Sequence, residues 1–97
     1  MTAVVTGAAS GIGRAVAQAL RAQGTEVLGI DRAEAAGIAA LDLSRPDAGE
    51  ALRLILGARR ATMLVNAAAV FHSGDMDGTD AAAWDRLYAV NLRAPYL

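Results

Sequence analysis

Cysteine is absent from the sequence, and so are large basic clusters and long hydrophobic runs. Without cysteine there are no disulfides, thiolate metal sites or cysteine nucleophiles. The formal net charge is −1 and the arginines are mostly scattered, so the chain lacks the basic surface that binds nucleic acid or an anionic membrane. No apolar run approaches the roughly 20 residues of a membrane span. We therefore expect a cytoplasmic protein without a nucleic-acid or membrane partner.

The rest of the composition is apolar for a chain of 97 residues. Hydrophobic residues make up 55% of it, and the mean hydropathy is +0.33. A chain of this length forms one small domain, and its apolar content favours strands that are buried on both faces of a sheet. We expect a single domain over residues 1–97.

Strand patterns and helix patterns alternate along the chain. The first helix is predicted to carry Ile12, Val16 and Leu20 on one face and to end at Gly24. Strands that alternate with helices are typical of an α/β fold with a parallel sheet and right-handed crossovers. The predicted order is strand 2–6, helix 11–22, strand 26–30, strand 38–41, helix 46–56, strand 61–65 and a helix from 79 to the end.

Glycines cluster where the first strand meets the first helix. Gly7 is expected to make the turn, Gly11 to allow close contact with a ligand, and Gly13 to let the helix pack against its strand. Ser10 can cap the helix or donate a hydrogen bond. Unpaired N–H groups and the helix dipole favour an anion at such a turn, so the pattern indicates a phosphate cradle. The alternative is a tight turn without a ligand.

Asp31 follows the apolar residues of the second strand. An acid at this distance from the glycines can accept hydrogen bonds from the ribose hydroxyls of an adenine dinucleotide, and it repels a 2′-phosphate. Arg32 is able to pair with such a phosphate. Asp31 and Arg32 together predict NAD as the cofactor without excluding NADP. The alternative for Asp31 is a solvent-facing carboxylate at a strand end.

Several motifs together resemble the short-chain dehydrogenase/reductase family. The resemblance covers essentially the whole chain and implies a Rossmann-type domain of about four strands and three helices, with a nicotinamide dinucleotide as partner. The motifs, in chain order, are T-G-A-A-S-G-I-G from Thr6 to Gly13, which includes Ile12, then Asp31, Asp42-Leu43, L-V-N-A-A-A from Leu64 to Ala69, and V-N-L from Val90 to Leu92.

The resemblance also implies roles for individual residues along the cofactor. Asp42 would accept from the adenine amino group, and Leu43 would offer a backbone donor to the same base. Val90 would approach the cofactor near the nicotinamide. The chain departs from the family at Ala69, where the family has a glycine; the added Cβ would lie where the backbone runs close to the cofactor. Three residues after the fourth strand would lie along the cofactor, namely Asn66, Ala67 and Ala68.

Asn91 is predicted on a helix stripe that faces the core. The residues that recur at helical spacing are Trp84, Leu87, Tyr88 and Asn91. Pro95 would free the carbonyl of Asn91 if the helix continued. The resemblance implies that this carbonyl holds a water in a proton relay to a catalytic tyrosine and lysine. In the alternative, Pro95 ends the helix and Asn91 is a buried amide whose hydrogen bonds are satisfied.

The rest of that relay is missing, because the family uses Tyr-x-x-x-Lys and this sequence contains no lysine. We therefore interpret residues 1–97 as an N-terminal portion, truncated before the catalytic segment. The complete protein is expected to be a homo-oligomeric oxidoreductase that transfers hydride between the nicotinamide and an alcohol or ketone substrate. In the alternative, the chain is a non-catalytic nucleotide-binding or interaction module, or an inactive fragment.

Overall fold

The computed structural model describes all 97 residues and contains one parallel sheet with helices on both faces. The sheet has the strand order β3-β2-β1-β4, and every neighbouring pair of strands is parallel. This confirms the α/β, Rossmann-type fold. The strands are β1 Thr2–Thr6, β2 Glu26–Asp31, β3 Ile38–Ala40 and β4 Ala61–Asn66; the helices are α1 Gly11–Ala22, α2 Ala48–Leu56, α3 Ala81–Tyr88 and α4 Ala94–Tyr96, with a π-helical turn at Ala89–Arg93 between the last two.

The core forms two clusters, one on each face of the sheet. Val5, Ala8 and Ala17 are buried where α1 packs, with Val16 and Leu20 against them. On the opposite face α2 covers a second buried cluster, which consists of Val4, Leu28, Ile30 and Leu41. Because β1 and β2 lie between the two layers, most of their residues are apolar on both sides, as is usual in a parallel sheet.

The ends of α1 follow from local chemistry, with one correction to the prediction. Gly24 has φ 85° and follows the helix; its N–H donates to the carbonyl of Arg21, and the N–H of Thr25 donates to that of Leu20. Ile12, predicted on the core face with Val16 and Leu20, is 79% exposed instead. It lies in the first turn of α1 and, unlike Val16 and Leu20, does not pack against the buried cluster.

The last helix contradicts part of the prediction. The helix is predicted to begin at residue 79, but α3 begins at Ala81; Asp80 caps it, with its side chain accepting from the N–H of Ala83 at 2.8 Å. The helix continues through Pro95 by way of the π-helical turn, so Pro95 does not end it. The predicted core stripe is mostly wrong: Leu87 is half-buried, but Trp84 is 68% exposed and Tyr88 51%. The buried residues of this segment are Ala89 and Val90, which begin the π-helical turn.

One edge of the sheet is left open. β4 pairs only with β1, and five of its six residues are exposed, including Met63 and Leu64. An open parallel edge of this kind is prone to association with another strand. None of the helices combines the length and the apolar composition needed to cross a bilayer. The predicted cytoplasmic location and homo-oligomer stay predictions.

Thr6 is expected to contribute to stability through its hydroxyl. Its Oγ1 is buried at the end of β1 and accepts from the N–H groups of Ala67 and Ala68, at 3.2 and 3.1 Å. Thr6→Val leaves both donors without an acceptor, which costs about 1–3 kcal/mol. Urea denaturation measures the loss. Thr6→Ser is the control, since it retains the hydroxyl; equal stability of the valine and serine variants would contradict this role.

Candidate functional site

A cavity of about 510 Å³ lies at the carboxyl ends of the strands. This is where parallel α/β sheets bind ligands, and the volume is in the usual range for a small-molecule site. The cavity brings together residues that are up to 83 positions apart in the chain. Its walls are Gly7, Ser10, Gly11, Ile12, Asp31, Arg32, Leu41, Asp42, Leu43, Ala67, Ala68, Ala69, Val70, Arg86 and Val90.

The glycine turn has the geometry of an anion cradle. Gly7 and Gly11 have φ 66° and 57°, a region that other residues rarely adopt. A Cβ on Gly7 would lie 2.8 Å from Ala68 Cα, and one on Gly13 would lie 2.1 Å from the Gly7 carbonyl oxygen, whereas one on Gly11 would meet nothing within 4 Å. Gly7 and Gly13 thus allow backbone packing, while Gly11 borders open space.

Ser10 occupies the N-cap position of α1 without capping it. Its backbone is extended, as at an N-cap, but its side chain accepts no hydrogen bond from the first turn. The predicted cap is therefore wrong, and the second interpretation, a hydroxyl free to donate into the cavity, remains. Together with the open first-turn N–H groups and the space beside Gly11, this donor set suits a diphosphate.

Asp31 connects the end of β2 to the glycine turn. Its Oδ2 accepts from the N–H of Ala9 at 2.9 Å, and its Oδ1 accepts from the N–H of Arg32 at 2.8 Å. Each carboxylate oxygen has a second lone pair, so the side chain is still able to accept from a ribose hydroxyl. The two backbone bonds hold the carboxylate in one orientation at the cavity wall.

Two guanidinium groups flank the same end of the cavity. Arg32 follows Asp31, and Arg86 arrives from α3; both line the main cavity and an adjoining one of about 560 Å³. Neither guanidinium forms an ion pair within 4.0 Å. The two ion pairs of the chain join Arg45 to Asp47 and Arg53 to Glu50. Positive charge therefore borders the place where Asp31 and Asp42 face the cavity.

Asp42 carries a stabilised negative charge. The side-chain hydroxyl and then the backbone N–H of Ser44 lower the pKa of Asp42 below its ordinary 3.8, with smaller contributions from Arg86 and Arg32, while burial opposes the shift. Since the folded-state pKa is the lower one, the stabilisation is complete above the unfolded value and is lost as pH falls through the folded value.

Ser44→Ala is expected to raise the pKa of Asp42 back towards 3.8, because it removes the largest cause of the shift. Titration of the Asp42 carboxyl carbon by NMR measures the change. Asp47, whose pKa is lowered mainly by the hydrogen bond from Arg45, serves as the internal control and should not change. An unchanged pKa for Asp42 would show that Ser44 is not the cause.

Asn91 connects the π-helical turn to the loop after β4. Its side-chain Oδ1 accepts from the N–H of Val70 at 2.8 Å, and its Nδ2 donates to the Val70 carbonyl at 2.9 Å. The amide is thus satisfied, as predicted, but it is exposed and not buried. Only Val70 of this pair lines the main cavity.

Four predicted site residues do not line the main cavity. Gly13 lies beneath the turn, Asn91 lies behind Val70, and Thr6 supports the loop after β4 from below. Asn66, expected along the cofactor, lines a separate cavity of about 120 Å³ on the α2 side together with Thr6. The reason is strand alternation: Asn66 and Leu64 point to the face opposite Val65.

Sequence reasoning missed Ser44, Arg86 and Arg93 as neighbours of the site. Ser44 and Arg86 act on Asp42, as described above, and Arg93 Nη2 donates to the Ser44 carbonyl at 2.6 Å. The two arginines come from the last helical segment, more than 40 residues after Asp42, and no spacing in the sequence indicates that they meet it.

The family model described as "NAD dependent epimerase/dehydratase family" matches residues 3–94. The chain belongs to the NAD-dependent epimerase/dehydratase family. The match agrees with the glycine turn and with the presence of Asp31 and Asp42 in the cavity wall. The search of curated proteins found no match.

Solved structures of short-chain oxidoreductases share the fold. A metagenomic short-chain oxidoreductase in complex with NADP is 36% identical, with TM-score 0.86, and the match covers 99% of this chain and 52% of that one. Aldohexose dehydrogenase from Thermoplasma acidophilum is 29% identical, with TM-score 0.85, and the match covers 98% of this chain and 40% of that one. 4-Hydroxyisoleucine dehydrogenase complexed with NADH is similar in fold, with 24% identity and TM-score 0.86. The match covers 98% of this chain and 44% of that one.

These matches confirm the resemblance to short-chain dehydrogenases/reductases. The chain spans about half the length of the solved structures that it matches.

Proposed function

We propose that the chain is the dinucleotide-binding part of an NAD(P)-dependent oxidoreductase that acts on an alcohol or ketone. The observation that carries the proposal is the single cavity in which the glycine turn, Asp31 and Asp42 meet at the carboxyl ends of four parallel strands. Residues 1–97 would act as one domain.

The proposed roles follow the order of the residues along the cavity. The turn from Gly7 to Gly13, with the N-terminus of α1, binds the diphosphate, and Asp31 binds the adenosine ribose. Asp42 accepts from the adenine amino group beside Leu43. At the other end, Ala67, Ala68 and Val90 contact the part of the cofactor nearer the nicotinamide.

When bound, the nicotinamide accepts or donates a hydride. The residues of this chain bind and orient the dinucleotide, but they do not supply the acid or base for the substrate oxygen, because Tyr88 is followed four positions later by Leu92 and there is no lysine. We propose that a segment outside these 97 residues carries that pair. The amide of Asn91 is committed to Val70, which leaves its backbone carbonyl for the proposed proton relay.

NAD is the proposed cofactor because the Asp31 carboxylate lies at the ribose position, where it repels a 2′-phosphate. The NADP complex of the 36% identical oxidoreductase, together with the unpaired Arg32 and Arg86, supports NADP as the second candidate.

Titration of the folded chain with NADH and NADPH, monitored by nicotinamide fluorescence, tests the proposal. We expect saturable binding of NADH. A chain that is folded by circular dichroism but binds neither dinucleotide would overturn the proposed function.

The second candidate function is a non-catalytic nucleotide-binding or interaction module, and it is favoured by the missing Tyr-x-x-x-Lys. The intact mass of the protein from its natural source separates the two. A mass well above 9.9 kDa, with the motif in the added residues, supports the oxidoreductase. A mass of 9.9 kDa supports the module.

A further inference from the structure

Asp42 uses only one of its two carboxylate oxygens within the protein. Its Oδ1 accepts from the Ser44 N–H at 2.9 Å and from the Ser44 hydroxyl at 2.7 Å. Its Oδ2 forms no hydrogen bond with the protein, and the residue lines the main cavity. Two bonds to one oxygen restrict rotation of the carboxylate, so the second oxygen is held in a defined direction.

Ser44 is in turn held by the π-helical turn. Arg93 Nη2 donates to the Ser44 carbonyl at 2.6 Å, across 49 residues of sequence. The same turn holds Val70 through Asn91. One short segment therefore attaches both loops that border the cavity, the loop after β3 with Asp42 and the loop after β4.

The placement of Arg93 is unfavourable if only stability is considered. Its Nε is buried without a hydrogen-bond partner, the one such side-chain atom in the chain. An unsatisfied buried donor carries a free-energy cost. The arginine is nonetheless held against the carbonyl of the residue that orients Asp42.

We infer that Ser44 and Arg93 are positioning residues that direct Oδ2 of Asp42 towards a hydrogen-bond donor on the base of the dinucleotide. The inference rests on the proposed function, which places the adenine amino group beside Asp42. Positioned in this way, the carboxylate selects a base that carries an amino donor over one that carries a carbonyl oxygen at the same place, because two acceptors facing each other leave both unpaired.

The test compares the dissociation constants of NADH and of reduced nicotinamide hypoxanthine dinucleotide, in which a carbonyl oxygen replaces the adenine amino group. The unaltered chain should bind NADH about tenfold more tightly. Ser44→Ala and Arg93→Met should each reduce this preference at least threefold by weakening NADH binding alone. Ser44→Thr should retain the preference because it keeps the hydroxyl. Arg53→Met, which removes an exposed arginine of α2 paired with Glu50, is the matched control and should change neither constant.

Asp42→Asn separates failure of the inference from failure of the proposed function. If this variant leaves the preference unchanged, adenine does not lie beside Asp42, and that part of the proposed function is wrong. If it abolishes or reverses the preference while Ser44→Ala and Arg93→Met retain it, the positioning role is overturned and the proposed function stands. Equal weakening of both dinucleotides by Ser44→Ala would also overturn the positioning role. Should Arg93→Met fail to fold, Ser44→Ala and Ser44→Thr decide.

Discussion

Gly13→Ala is expected to destabilise the chain severely, whereas Gly11→Ala should leave it folded. A Cβ at position 13 would lie 2.1 Å from the carbonyl oxygen and 2.6 Å from the carbonyl carbon of Gly7. Both contacts are with backbone, so α1 must move away from β1. Overpacking of this kind costs about 1–3 kcal/mol or more, which lowers the melting temperature by roughly 4–8 °C per kcal/mol in a domain of this size.

Gly11→Ala is the matched comparison in the same turn. Its Cβ would meet nothing within 4 Å, and the left-handed φ of 57° costs only about 1–2 kcal/mol. The new methyl group would border the cavity where we propose that the diphosphate lies, so NADH binding should weaken by about tenfold or more.

Thermal unfolding and NADH titration of both variants check this pair of predictions. An unaltered melting temperature for Gly13→Ala would show that α1 does not depend on the close contact with Gly7. An unaltered NADH affinity for folded Gly11→Ala would place the phosphates elsewhere.

Asp31→Ala is expected to reduce the preference for NADH over NADPH by about tenfold or more. The substitution removes the acceptor for the ribose hydroxyls, and hydrogen bonds to a charged group contribute about 1.5–3 kcal/mol. NADPH should bind as well as before or better, because the carboxylate no longer repels the 2′-phosphate and Arg32 remains beside it.

Competitive titration with the two dinucleotides measures the ratio. Glu34→Ala is the matched control, since it removes an exposed carboxylate from the same loop without altering the cavity wall. The hydrogen bond from Ala9 to Asp31 is lost as well, so a fall in both affinities by the same factor would show that Asp31 acts on the glycine turn and not on the ribose. Equal affinities in the unaltered chain would already count against a ribose role.

Much of the fold was predictable because its signals are local. The strand ends differ from the prediction by one residue at β2, β3 and β4, and Gly24 ends α1 as expected. Alternating apolar strands and helices leave few arrangements other than a parallel sheet, given the handedness of crossovers. The wall of the cavity likewise contains most of the predicted residues, because most of them lie at or just after a strand end and parallel strands end at one edge.

The errors in prediction concern side chains whose surroundings come from distant parts of the chain. Helical spacing groups Trp84 with Tyr88 and Asn91, but spacing alone does not say which side of a helix is buried in the protein. The structure turns Val90 inward and leaves Trp84 exposed. Ile12 differs from Val16 and Leu20 for the same reason, since only the latter two pack against the buried cluster.

The sequence alone determines the parallel sheet, the glycine turn, Asp31 at the end of β2 and Asp42 after β3. Each of these features depends on residues within one strand and the turn that follows it. Tertiary structure alone decides that Arg86 lines the cavity and that Arg93 holds Ser44. These contacts join the last helical segment to the loop after β3, more than 40 residues earlier in the chain, and they depend on how the elements pack.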